Sequence, residues 1–504
     1  MLHALLLLGC QSAPTSSPDP IAEATWSPCD RAPGSGDAAA ECATVPLPWD
    51  HEDPEGERFD ALVKRIPAQV DATAQLWLLH GGPGASAVDD LHVLPPDVAL
   101  AHPSFTLYAV DHRGVGGTAR LGCGAEAGDS EGAAAITEAE WPGCLDEVEA
   151  TWGEHLPQLS TTQSAHDLAT LIEVLRVPGQ QTMIYGGSYG TVLAQRLLHL
   201  RPDLIDAVVL DGLADPAVGF RGYDRAMDGA GQALLDLCAA DRACADHFDV
   251  RPAEAAAAVL TALDAGHCPA LGLDSDGARN LLGAMLLYDK VRDLVPATVR
   301  RLERCDARDV EVLTALQTNI HGLGATPEQG NEGVGASNVL FFHVALSEMW
   351  FETADPTAVL ADWRTLTLST GLEVWLATRS QGWPRYTPDP RRDEVPTYTG
   401  PLLILQGGLD AATPVGPALA IAERFTEELQ HTALFPEGAH GLVGGATLPD
   451  QTDCGQRLFD AFLADPRAEL DTRCIQDVLP VQFDGYDTVT RGLFGTVDAW
   501  GERG

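Results

Sequence analysis

Short apolar runs that stop abruptly at a glycine, an aspartate or a histidine recur along this chain. Leu76-Trp77-Leu78-Leu79 stops at His80, Thr106-Leu107-Tyr108-Ala109-Val110 at Asp111, Met183-Ile184-Tyr185 at Gly186, and Ala207-Val208-Val209-Leu210 at Asp211. Later, Leu402-Leu403-Ile404-Leu405 stops at Gln406-Gly407, and Thr432-Ala433-Leu434-Phe435 at Pro436. Brief, unbroken apolar runs of this kind predict parallel strands covered on both faces. Helices fit between them: Leu168, Leu171, Ile172 and Leu175 fall on one face of a helix over 165–175, and 192–200 repeats the pattern. From about Ala214 to Pro396 the strand rhythm gives way to helical composition, over 253–263, 278–287 and 339–351. The pattern predicts an α/β chain: a mostly parallel sheet flanked by helices, with a mainly helical cap inserted between its sixth and seventh strands.

The expected divisions are a leader over 1–10, a tether over 11–25, a first core part over 26–213, the cap over 214–397, and a second core part with a C-terminal extension over 398–504. In open parallel sheets functional groups gather at the carboxyl ends of the strands, so a cap over that edge would shape the pocket.

The chemistry is concentrated where the strands end. Gly186-Gly187-Ser188-Tyr189-Gly190 is a G-x-S-x-G pentapeptide directly after one strand and before a helix, the setting of a nucleophile elbow. The turn lifts the Ser188 hydroxyl clear of the sheet, and its glycines let strand and helix approach. It also aims the Tyr189 amide at a developing oxyanion. His80-Gly81-Gly82-Pro83-Gly84 follows an earlier strand, where the second oxyanion donor belongs. Pro83 has no amide hydrogen, so Gly82 is the first choice and Gly81 the next. Asp410, in Gly407-Gly408-Leu409-Asp410, is the expected acid, with Asp211 as competitor. His440, in Gly438-Ala439-His440-Gly441, is the expected base, and His80 and His112 are expected to serve local hydrogen bonds. The order Ser, Asp, His is that of the α/β-hydrolases, and a serine acyl-enzyme mechanism on these residues requires no metal or cofactor.

These segments, with Asp111-His112-Arg113-Gly114 and Gly408-Leu409-Asp410…Thr413-Pro414, resemble the proline iminopeptidase and tripeptidyl aminopeptidase family. The likeness extends from about Trp26 to Cys474, and 454–474 is similar to the C-terminal extension of the tripeptidyl aminopeptidase branch. The resemblance implies cleavage of residues or short peptides from free N-termini, with an acidic cap residue meeting the substrate's ammonium group. Ser347-Glu348 looks like the family's Cys-Ser-Glu stretch, which makes Glu348 the candidate amine binder. Leu346 stands where the family often has cysteine, and Ser380 replaces its partner, which implies one missing cap disulfide. An esterase would use the same serine machinery on uncharged acyl groups and is the alternative reading. A non-catalytic binder would have no reason to keep Ser188, Asp410 and His440, and a dehalogenase would want a carboxylate at 188.

Charge and cysteines add compartment and partners. The 504 residues carry 73 acidic and 31 basic side chains, a formal net charge of −42, which repels phosphate backbones and sets nucleic acid aside as a partner. Peptides with free N-termini are the expected partners. Leu7-Leu8-Gly9-Cys10 resembles a bacterial lipobox, with a lipid anchor expected at Cys10, and a polar, Pro-rich segment comes after it. The run before Cys10 is short and has no Lys or Arg. Of eleven cysteines, setting Cys10 aside leaves ten: eight fall into local pairs, Cys29 with Cys42, Cys123 with Cys144, Cys238 with Cys244 and Cys454 with Cys474, and Cys268 and Cys305 are left over, open to pairing with each other. Spacing alone does not fix this connectivity. No Cys-x-x-Cys spacing occurs, so disulfides in an oxidising compartment are expected: a membrane-anchored lipoprotein, or a secreted or periplasmic protein.

Overall fold

The computed structural model describes residues 24–501 apart from 33, 37, 93–96, 132–135, 321–334 and 351–354. The expected lipobox and most of the tether therefore lie outside the described residues, as does Phe351. Six strands align in parallel: β4 (Ala74–Leu79), β5 (Phe105–Val110), β6 (Gln181–Gly187), β7 (Ala207–Asp211), β8 (Leu402–Gly407) and β9 (Gln430–Phe435). Before them come β1 (Ser27–Cys29), β2 (Ala40–Pro48) and β3 (Arg58–Ile66), which form an antiparallel meander. The sheet order is β1-β2-β3-β5-β4-β6-β7-β8-β9, with β3 antiparallel to β5 and every later pairing parallel. Every residue of β4, β5, β7 and β8 is buried, as expected of strands covered on both faces.

The meander moves the insertion point. The helical cap lies between the seventh and eighth strands in chain order, not the sixth and seventh, because three antiparallel strands precede the parallel ones. Their signal is weak for a physical reason. Pro46 and Pro48 sit inside β2, and β3 mixes Arg58, Asp60, Lys64 and Arg65 into its alternation, so neither reads as an apolar run.

Helices cover both faces of the sheet. Thr161–Leu175 begins four residues earlier than its apolar spacing suggests, because Ser160 accepts a hydrogen bond from the Gln163 amide and caps it. The cap has its own apolar core, built on Met227, Leu235, Leu282, Met285, Leu294 and Leu302, among others. The end of the chain joins that core: Phe483, Leu493, Phe494 and Trp500 pack into it. Arg301, fully buried, pairs with Asp309 and donates to the carbonyls of Asp498 and Ala499. The last segment thus closes against the cap, although the sequence reads as an extension of the second core part.

Among the described residues five disulfides form, Cys29–Cys42, Cys123–Cys144, Cys238–Cys244, Cys268–Cys305 and Cys454–Cys474. No described helix is long and apolar enough to cross a membrane. Cys268–Cys305 spans 37 positions and lies entirely within the cap. Opening a loop of that length releases about 4 kcal/mol of unfolded-state constraint. The double variant Cys268→Ser/Cys305→Ser is expected to lower the unfolding free energy of the cap by that order in denaturant titrations. An unchanged midpoint would show that the bridge contributes nothing beyond the surrounding packing.

Candidate active site

β6 ends at Gly187, and Ser188 turns the chain into the helix Tyr189–Leu200 with φ 55° and ψ −123°. A non-glycine residue at this φ is strained, and its neighbours hold it there. The Ser188 amide donates to the Asp211 carbonyl at 2.9 Å. A Cβ placed on Gly190 would collide with the Leu79 carbonyl oxygen, and one on Gly186 with that of Gly190. Both glycines are therefore required by close backbone approach.

Asp410 lies just beyond β8, with 1% of its surface exposed. Its Oδ1 accepts from the amides of Ala412 and Thr413 at 2.9 and 2.7 Å, and its Oδ2 accepts from the Thr413 hydroxyl at 2.7 Å. The same Oδ2 lies 2.9 Å from His440 Nδ1. That contact places Nε2 as the imidazole nitrogen left for chemistry. Ser188 and His440 line one cavity. Burial works against a charged His440, but the carboxylates of Asp410 and Asp211 outweigh it and hold the imidazole above its ordinary value of 6.5.

Asp211 does not touch the His440 ring. Its carboxylate accepts from the amides of Leu442 and Val443 and from the Tyr185 hydroxyl, so it anchors the loop that carries the histidine. Burial raises its own pKa despite those donors.

The loop after β4 distinguishes between the two glycines. The Gly81 amide donates to Nδ1 of His80 at 2.7 Å, and the Gly84 amide donates to Nε2 of His112 at 3.2 Å. Burial pushes His112 down to about 4, so it stays neutral and accepts. With Pro83 lacking an N–H, Gly82 is the amide left for an oxyanion, and it lines a cavity together with Ser188 and Tyr189. Arg113 has a structural role: it is fully buried, chelates Asp167 and donates to the carbonyls of Pro48, Trp49 and Gln158.

The structure gives Glu348 partners inside the protein and does not place it on the cavity wall where an amine binder was expected. Glu348 is 4% exposed in a π-helical turn, Ala345–Met349, and is not among the residues lining the cavity beside Ser188. Its Oε1 accepts from the Thr161 amide at 2.9 Å and the Tyr386 hydroxyl at 2.5 Å, and its Oε2 lies 3.4 Å from Arg196. These partners account for both oxygens of the carboxylate within the protein and give it a role in joining the cap to the core. The residues that do line the cavity include Asp215, Phe220, Tyr223, Phe341 and Met349. Asp215 stands four residues past β7, at a strand's carboxyl edge, which is the one sequence signal that could have singled it out.

Comparison with known proteins agrees with this geometry. Residues 76–238 match the sequence profile of a family described as alpha/beta hydrolase fold. The chain has that fold. It is similar to serine protease Hip1 of Mycobacterium tuberculosis, 27% identical over 242 residues, which is 42% of this chain and 45% of that protein. Less than half of that relative's length is therefore matched. Tripeptidyl aminopeptidase of Streptomyces coelicolor is 24% identical over 447 residues, 80% of this chain and 78% of the relative. Carboxylesterase B of M. tuberculosis is 38% identical over 110 residues, 20% of this chain and 21% of the relative. The resemblance to the tripeptidyl aminopeptidase branch thus extends over most of the sequence.

The geometry generates two expected outcomes. Because a base must be neutral to accept a proton, the acidic limb of kcat/KM against pH falls above 6.5, and Asp211→Asn, which removes one negative charge, shifts it to lower pH. A limb that stays in place in the variant would exclude Asp211 as an electrostatic partner. Glu348→Gln leaves Arg196 buried without its counter-charge and lowers stability by about 3–5 kcal/mol. Where the variant remains folded, its preference for free over blocked amines is expected to match that of the parent; a selective loss on free amines would restore the amine role.

Proposed function

We propose that this protein is an extracytoplasmic serine exopeptidase that releases N-terminal residues or short peptides from substrates with a free amino terminus. His440 Nε2 takes the Ser188 proton as Ser188 Oγ attacks the carbonyl carbon, while Asp410 fixes the imidazole tautomer and stabilises its charged form. The Gly82 and Tyr189 amides receive the oxyanion, the amine leaves with a proton from His440, and water hydrolyses the acyl-enzyme.

One observation carries the exopeptidase reading. The cavity of about 160 Å³ beside Ser188 is walled by residues beyond the end of β7 and by cap residues, Phe220, Tyr223, Phe341 and Met349 among them. A roofed cavity of that size accommodates a chain end better than a polypeptide running through. Among the described residues that line it, Asp215 is the one carboxylate. Its Oδ1 accepts from the Ala217 amide at 2.8 Å, which leaves the other oxygen for a substrate ammonium. Arg221, on the same wall, donates to the carbonyls of Ala217 and Val218. The likeness to tripeptidyl aminopeptidase over 80% of the chain supports the same reading. The five disulfides support an oxidising compartment, and a lipid anchor at Cys10 would hold the enzyme at a membrane. The esterase alternative is favoured by the largely apolar wall of the same cavity and by the likeness to carboxylesterase B.

Chromogenic amides of free alanine, proline and an alanine-rich tripeptide, compared with their N-acetylated forms and an aryl ester, separate the two. Cleavage of free-amine amides alone, abolished in Ser188→Ala, is the expected result. Asp215→Asn is expected to cost these substrates about 10–100-fold in kcat/KM, the value of a charge-assisted hydrogen bond. Turnover confined to the ester would make the protein an esterase, and turnover of the blocked amides would overturn the requirement for a free amino terminus.

A further inference from the structure

Ser188 stands where two cavities meet. The first, of about 160 Å³, lies under the cap. The second, of about 390 Å³, is walled by the loop after β4, by Tyr185 and Asp211, and by the loop that carries His440. Ser188 and Gly82 line both, whereas His440, His80 and Asp90 line only the second.

We infer that the second cavity is a leaving-group chamber for a peptide, and that Asp90, beside His80, selects the residues on the leaving side of the scissile bond. The inference rests on the acyl-enzyme reading of Ser188 and His440 given above. When the tetrahedral adduct collapses, the C–N bond breaks, its electron pair goes to nitrogen, and the His440 Nε2 proton is transferred to that nitrogen. The departing atom must therefore lie on the His440 side, while the acyl carbon stays bonded to Ser188 Oγ. Only the second cavity has His440 on its wall, so the acyl part occupies the capped cavity and the amine departs through the larger one. In deacylation, water enters from the same side and gives its proton to His440, which returns it to Ser188 Oγ.

The chamber has a built acceptor. His80 Nδ1 accepts the Gly81 N–H, which leaves the ring proton on Nε2, 3.2 Å from Asp90 Oδ2. The Asp90 side chain is 21% exposed and that of His80 38%, so the pair faces the chamber and is not sealed in the core. A carboxylate on this wall accepts hydrogen bonds from peptide N–H groups beyond the scissile bond, and from the ammonium group created on cleavage. An aryl amine leaving group offers it much less.

The test keeps one acyl group fixed and varies the leaving group: a small chromogenic amide against peptides extended by two and by three residues. The ratio of kcat/KM, extended over small, is expected to exceed one in the parent and to fall about tenfold in Asp90→Asn, one charge-assisted hydrogen bond. Val443→Phe, which narrows the chamber without touching Asp90, is expected to lower the same ratio. Equal losses on both leaving groups, or a ratio unmoved in both variants, would overturn the assignment. If only esters turn over, the same comparison with short and long alcohols still decides the chamber. The aminopeptidase reading is decided separately by the acyl side.

Discussion

The backbone of Ser188 is held at a positive φ by contacts from the ends of two strands, one of them braced by a third, and the rest of the site takes its geometry from that constraint. Gly190 abuts the Leu79 carbonyl at the end of β4, the Ser188 amide donates to Asp211 at the end of β7, and the Gly212 amide donates to Leu405 of β8. A turn of this kind costs on the order of 1–3 kcal/mol, which the surrounding packing must offset. The strands that hold the turn are buried throughout, so the elbow has a rigid base. The same strand ends carry Gly82, Asp211 and Asp410, so the constraint that fixes the nucleophile also fixes its partners.

Two buried aspartates act on His440, and their tasks differ because of what else they bind. Asp410 meets the ring directly and is orientated by the Ala412 and Thr413 amides. Asp211 accepts from Leu442 and Val443, just past the histidine, and acts on the ring only through its field. Removing Asp211 would alter loop position and charge together. A pH profile separates the two, because a displaced loop lowers the rate at every pH whereas a lost charge moves the limb.

Much of this is legible in the sequence where the signal is local. Four of the six parallel strands, β4, β5, β7 and β8, are runs whose burial on both faces forces them to be apolar, and Ser188, Asp410 and His440 each come within five residues of a strand end. The ten cysteines after Cys10 each pair with the next one along the chain. The features that the sequence does not yield depend on contacts between distant segments. Glu348 looks like a free cap carboxylate because nothing local reveals Thr161, Tyr386 and Arg196 around it. Nothing near Arg301 announces that the carbonyls at 498 and 499 will satisfy it, so the final segment reads as part of the core. The choice between Gly81 and Gly82 depends on a ring nitrogen of the preceding histidine, whose direction no local pattern gives.

The network around Glu348 has a mechanical meaning. Glu348 belongs to the cap, Thr161 starts a core helix, and Arg196 lies on the helix that Ser188 begins. The Thr161 hydroxyl reaches the Tyr189 hydroxyl at 2.8 Å, so the side chain of the candidate oxyanion residue is two hydrogen bonds from the cap carboxylate. Tyr386 completes the connection from a second cap segment. A cap hinged freely over the sheet would have no need of a buried ionic contact, which costs desolvation and stabilises only when its geometry is kept. The contact therefore ties the cap to the helix that follows the elbow.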